Sequence, residues 1–152
     1  DKTNVLVTRT FSKAYGLAAL RVGWAYGPTA VIAALDRIRL PFSVPRAGEA
    51  AAVAALADEA FVQKSVAAFE TGRRDLDAAL VSLGARTLPS ATNFVTARFD
   101  SADAIDAALA ERGILVRNLK TYGMPDWLRI SVGQPDEMRR VIAALREIVG
   151  RR

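Results

Sequence analysis

The chain has no cysteine and no histidine. The first absence excludes disulfides and thiolate metal sites. The second removes the commonest general base, zinc ligand and pH switch. Chemistry is left to Lys, Asp, Glu, Tyr, Ser and Arg, or to a group that the chain binds. Long apolar runs are also missing: no stretch of 18 apolar residues occurs, so no membrane span is expected. The N-terminus, DKTNVLV, lacks the charged, apolar and cleavage regions of a signal peptide, which makes the cytoplasm the default location. It starts with Asp and enters an apolar run almost at once, and so reads as a cut inside a longer protein. The net charge is +5, but no basic run with interleaved aromatics accompanies it, so no nucleic-acid surface is expected. Arginines such as Arg73, Arg74, Arg139 and Arg140 read instead as solvated helix faces. The excess charge suits attraction of a phosphorylated or carboxylated small molecule.

What is present is the composition of a soluble globular protein, 51% apolar and 24% charged over 152 residues: one ordinary domain or pieces of two. VLVTRT (5–10) is a β-branched run and predicts a buried strand, and RVGWAYG (21–27) a second strand. AVIAALDRIRL (30–40) has helical spacing, and PFSVP (41–45) breaks it. The alanine-rich AGEAAAVAALAD predicts a second helix, and a long amphipathic one follows from Glu59 to Leu83, with Gly84 as its stop. The pattern then changes. NFVTARF (93–99), ILVRNL (114–119) and WLRISVG (127–133) read as strands. SADAIDAALAERG reads as a helix between Ser101 and Gly113, and PDEMRRVIAALREIVG as a closing helix with Pro135 at its start. Residues 1–62 thus hold two strands and helices without a complete sheet. Residues 63–152 form a compact α+β unit.

Within FSKAYGLAALRVG, Lys13 sits in a Gly- and Ala-rich loop after a strand, with the hydroxyls of Thr10 and Ser12 close by and Arg21 opening the next strand. A lysine that condenses with a carbonyl must be held near it and partly desolvated. A phosphate on the same partner calls for hydroxyls and a guanidinium, whose planar fork meets phosphate oxygens in pairs. Ser12 to Gly23, SKAYGLAALRVG, closely resembles the pyridoxal 5′-phosphate lysine signature of the fold type I aminotransferases, and most of all the histidinol-phosphate aminotransferase family. The similarity continues in family order through PFSV (41–44), SATNF (90–94), GILVRN (113–118) and YGMPDWLRISVG (122–133).

The resemblance implies an α/β fold. Residues 1–62 would be the C-terminal remnant of the large cofactor-binding domain, two strands and helices of a mostly parallel sheet. Residues 63–152 would be the small α+β C-terminal domain. It implies pyridoxal 5′-phosphate as cofactor, Lys13 as the Schiff-base lysine and proton carrier, and Thr10, Ser12 and Arg21 as its phosphate ligands. Arg129 would bind a substrate carboxylate or phosphate, with Arg117 nearby, and Asn93 and Phe42 complete the substrate residues. Phe42 takes the place of the aromatic that reaches the neighbouring subunit's site, so any contact made by a tyrosine hydroxyl is lost. Alternation along LRISV supports the role of Arg129, because Leu128, Ile130 and Val132 face one side and Arg129 and Ser131 the other. The implied reaction moves an amino group between histidinol phosphate, or an aromatic amino acid, and 2-oxoglutarate, in a homodimer of the full-length parent. Two departures stand out. The usual glycine before Leu20 is Ala19. The family's upstream partners of the cofactor ring have no counterpart in this sequence. A decarboxylase of the same fold, and a catalytically incompetent small-domain module, are the alternatives.

Overall fold

A computed structural model describes residues 4–150; the outermost residues of the two predicted segments, 1–3 and 151–152, lie outside it. The chain divides into two compact units between Val66 and Ala67. Among the described residues no helix is long and apolar enough to cross a membrane.

In the first unit, strand β1 (Val7–Thr10) pairs antiparallel with β2 (Gly23–Tyr26), Val7 opposite Tyr26 and Thr10 opposite Gly23. Between them lies a 3₁₀ turn, Ala18–Leu20. Helices α1 (Thr29–Ile38) and α2 (Arg46–Ala57) follow, separated by the predicted proline break. Phe11, Val22 and Ala52 form a small buried cluster, with Tyr15, Leu17, Leu20 and Ala55 against it. The prediction of a buried strand at 5–10 is corrected: all four residues of β1 are exposed. β-Branched residues favour the extended backbone, but burial needs a layer on the strand's face, and a two-stranded ribbon supplies none. No parallel ladder forms among the described strands.

Helix α3 (Glu59–Ser82) carries the chain into the second unit, where strands β3 (Arg86–Thr87), β4 (Phe94–Arg98), β5 (Arg117–Asn118) and β6 (Trp127–Ser131) form an antiparallel sheet in the order β3-β4-β6-β5. Helices α4 (Ala102–Ala110) and α5 (Pro135–Val149) complete it. Leu76 and Leu80 of α3, Val95 and Ala97 of β4, Ile105 and Leu109 of α4, Leu128 and Ile130 of β6, and Met138 and Leu145 of α5 make one core. Their spacings explain the elements: i, i+4 or i, i+7 pairs on the helices and i, i+2 pairs on the strands. Two helices end as the sequence predicts. Ala85 N–H donates to the Leu80 carbonyl past Gly84, and Ile114 N–H to the Leu109 carbonyl past Gly113, a Schellman closure in each case. At the start of α5 the Gln134 N–H donates to Glu137 Oε2 at 2.7 Å, one half of a capping box. The strand predicted over 114–119 shrinks to Arg117–Asn118, and a 3₁₀ turn, Lys120–Tyr122, follows it.

Strand β5 is tied to α4 by side chains. Asn118 Nδ2 and Lys120 Nζ each donate to Asp103, both at 2.9 Å. The bond from Lys120, then that from Asn118, holds the Asp103 carboxyl below its ordinary value of 3.8. A carboxyl lowered by folding contributes stability above its unfolded value, and that contribution is lost as pH falls through the lower, folded value. Lys120→Met is expected to raise the Asp103 titration towards 3.8, read by carboxyl-carbon NMR; an unmoved titration would reject the network as its cause. In the core, Leu76→Ala should cost about 2–5 kcal/mol, read as a lowered urea midpoint with an unchanged m-value. A loss under 1 kcal/mol, roughly that of a surface change, would contradict full burial.

Candidate functional site

The candidate residues of the first unit gather between β1 and β2. Phe11 N–H donates to the Val22 carbonyl at 3.1 Å, and the Phe11 carbonyl accepts from Leu17 N–H at 3.0 Å. The buried Phe11 thereby anchors a tight loop whose Lys13 carbonyl accepts from Gly16 N–H at 2.9 Å. Thr10 Oγ1 accepts from the Ser12 N–H at 3.0 Å. Arg21 Nη1 donates to the Ala18 carbonyl at 2.7 Å and reaches Ser12 Oγ at 3.5 Å. Two hydroxyls, a backbone N–H and a guanidinium so converge at one place, the donor set a phosphate monoester needs.

Two backbone features fix this cup. Arg21 itself is left-handed, with φ +55°, a conformation uncommon for a residue with a side chain. It turns the chain from the 3₁₀ turn into β2. Gly23 opens β2 opposite Thr10, and a Cβ there would lie 2.6 Å from the Arg9 carbonyl oxygen. Only glycine lets the two strands close at this point. Lys13 is exposed, and no ion-pair partner is found for it among the described residues. The desolvation that a carbonyl-condensing lysine requires is therefore not supplied by this unit. Phe42 stands apart in the loop after α1, fully exposed and with φ +55°.

The second unit presents its own cluster on the sheet face away from the core. Arg129 on β6 lies directly opposite Arg117 on β5 and Thr96 on β4. Like charges directly opposite on neighbouring strands repel, so this row is suited to a bound anion. The Arg129 guanidinium carbon sits 5.0 Å from the centre of the Phe94 ring, within cation–π range. Its Nε is buried and has no hydrogen-bond partner among the described residues. A buried unpaired donor is costly, and one held against an aromatic face beside a second arginine points to a carboxylate or phosphate ligand. Asn93 is half-buried, and its carbonyl accepts from Val132 N–H at 2.8 Å, closing the top of this face.

Sequence reasoning placed Arg73 on a solvated helix face. The structure corrects this: Arg74, Arg139 and Arg140 are exposed, whereas Arg73 is half-buried and its Nη1 donates to the Ser90 carbonyl. In the sequence Phe94 stands out only as part of SATNF and of the strand NFVTARF, with no role of its own. Helical periodicity carries no sign of a contact 17 residues away. No group of acidic side chains suited to a metal ion occurs among the described residues.

The family model for aminotransferase class I and II matches residues 1–145. The chain belongs to this family. Among its relatives, the histidinol-phosphate aminotransferase of Sphingopyxis alaskensis is 50% identical over 151 residues, covering 95% of this chain and 41% of the relative. Histidinol-phosphate aminotransferase 2 of Ralstonia nicotianae is 48% identical, covering 93% and 39%. A crystal structure of histidinol-phosphate aminotransferase from Sinorhizobium meliloti in complex with pyridoxal 5′-phosphate superposes with a TM-score of 0.86 at 35% identity, covering 99% of this chain and 42% of that one. The chain thus spans about two fifths of the length of the relatives it matches.

Gly23→Ala tests the cup. Its methyl would force the strands apart at the Arg9 carbonyl, at a cost of about 1–3 kcal/mol. Amide exchange along β1 and β2 should accelerate while that of β4 and β6 is unchanged. Unaltered exchange in β1 would show that the close approach does not constrain the ribbon.

Proposed function

We propose that the chain is the C-terminal part of a pyridoxal 5′-phosphate-dependent aminotransferase, acting between histidinol phosphate or an aromatic amino acid and 2-oxoglutarate. The observation that carries this reading is the convergence of Thr10, Ser12 and Arg21 beside Lys13 in a chain of this family. We assign residues 1–62 to the large cofactor domain and residues 63–152 to the small one. The full-length enzyme is a cytoplasmic homodimer in this reading, with Phe42, free of packing in its own unit, directed to the neighbouring subunit's site.

The residues fit the cofactor's phosphate. Arg21 supplies charge and Thr10 and Ser12 supply hydroxyls at the end of β1, so the phosphate end would be held there. When bound, pyridoxal 5′-phosphate supplies an aldehyde conjugated to an electron-withdrawing ring. Lys13 Nζ provides the amine that meets this aldehyde. Once displaced by the substrate's amine, Lys13 Nζ would be the base that takes the proton from the substrate's α-carbon and moves it in the 1,3-prototropic shift. Its distance from the phosphate ligands along the chain is short and its loop is closed by backbone hydrogen bonds, so the amine is held at a defined reach from the cup. Arg129 and Arg117 bind and orient the substrate's anionic groups. Asn93 borders the same face.

The isolated segment is expected to be inactive; loading the full-length enzyme with pyridoxal 5′-phosphate and reducing it with borohydride, with peptide mapping, should place the label on Lys13 in preference to Lys64 and Lys120. Arg21→Ala should abolish that preference. Labelling that follows exposure alone would reject the cup. In the full-length enzyme, Arg129→Ala should weaken anionic substrates about ten- to a hundredfold, the effect of losing a hydrogen bond to a charged group. An unchanged Michaelis constant with loss of cofactor would reverse the division between cofactor and substrate arginines.

A further inference from the structure

We infer that Arg73 is a positioning residue for Arg129, acting through the turn that joins β3 to β4. The inference rests on the aminotransferase reading only for the identity of the anion. Arg73 leaves α3 half-buried and donates from Nη1 to the Ser90 carbonyl. Ser90 then closes the turn on itself: its Oγ donates to the Phe94 carbonyl at 2.7 Å, lies 2.9 Å from Thr92 Oγ1 and accepts from Thr92 N–H at 3.2 Å. At the far side, the Asn93 carbonyl accepts from Val132 N–H at 2.8 Å. The turn is held from α3, internally and from the end of β6. It delivers Phe94, whose ring carries the Arg129 guanidinium at 5.0 Å.

Helix α3 is itself fixed at this level. A Cβ on Gly72 would lie 2.6 Å from Val132 Cγ1, so helix and strand end approach as closely as glycine permits. The residue after it, Arg73, is therefore a rigid lever rather than a wandering surface side chain. A charged donor to a carbonyl is among the stronger hydrogen bonds. Without it, the Ser90 carbonyl loses its partner, the turn loosens, and the ring beneath Arg129 loses its fixed place. Among the described residues the buried Arg129 Nε has no hydrogen-bond partner, while the guanidinium rests against the Phe94 ring, so moving the ring should move the guanidinium.

The test is NMR of the arginine side chains in the chain itself, with inorganic phosphate as the anion probe. The Phe94 ring should shift the Arg129 Nε–H signal, as Phe94→Leu will identify. Arg73→Ala should remove that shift and weaken phosphate binding about tenfold, the scale of one hydrogen bond to a charged group, while the amide signals of α4, β5 and α5 stay in place. Arg73→Lys, which keeps a charged donor, should restore most of both. Ser90→Ala cuts the same path without touching α3, and should move the Arg129 signal even where Arg73→Ala fails to fold. An Arg129 signal unmoved by Ser90→Ala, or by a folded Arg73→Ala, overturns the inference. A moved signal in a chain that binds no phosphate keeps the positioning role and rejects the anion-binding reading.

Discussion

The alternation along β6 is the constraint on which the second unit depends. Leu128 and Ile130 are buried in the core while Trp127, Arg129 and Ser131, between and beside them, face the other way. One strand thus serves as the central beam of the core and as the mount of the arginine row. A slip of one residue would bury Arg129 and expose Leu128 together, so the hydrophobic effect fixes the register of the arginine. The neighbouring strands follow. Thr96 and Arg117 stand opposite Arg129 because Val95 and Ala97, and the tie of Asn118 to α4, set their own registers.

This mounting explains how two arginines can stand directly opposite each other. Their repulsion is a local cost, tolerated because the sheet's other face is a closed core. The same guanidinium gains from the electron-rich face of Phe94 without being neutralised, and so stays available to a ligand. A carboxylate in that place would have satisfied the buried Nε and filled the site. At the edge of the sheet face the contrast is visible: Arg98 does have its carboxylate, Asp126, at 3.3 Å, and both are well exposed.

Much of this was legible in the sequence. Helix spans followed from apolar spacing and from breakers such as Pro45 and Gly84, and the alternation in LRISV gave the two faces of β6 directly. The cup was legible because its parts are near in sequence: Thr10, Ser12 and Arg21 are joined by a loop that the glycines permit. What was not legible depends on contacts between distant segments. The exposure of β1 could not be read from its β-branched residues, which specify an extended backbone but not a covering layer. The two-residue strand β3 is too short to show a period. Arg73 stands four residues after Phe69 and three before Leu76, on the apolar face of α3, so helical spacing separates it from Arg74, but its partner Ser90 is set only by the fold.

The two candidate sites rest on unequal foundations. The arginine row stands on a core with several fully buried side chains from three helices and two strands. The cup of Thr10, Ser12 and Arg21 stands on three buried apolar residues, Phe11, Val22 and Ala52, while Trp24, Tyr26, Ile38 and Leu40 of the same unit are exposed. Local stability follows the density of buried apolar contacts. The row is therefore held in place by packing whether or not an anion is bound. The cup is held chiefly by short-range hydrogen bonds around Phe11 and by the left-handed turn at Arg21, both of which water can compete for. A ligand phosphate bridging Ser12 and Arg21 would tie the two sides of that loop together, so that binding and local order in the first unit rise together.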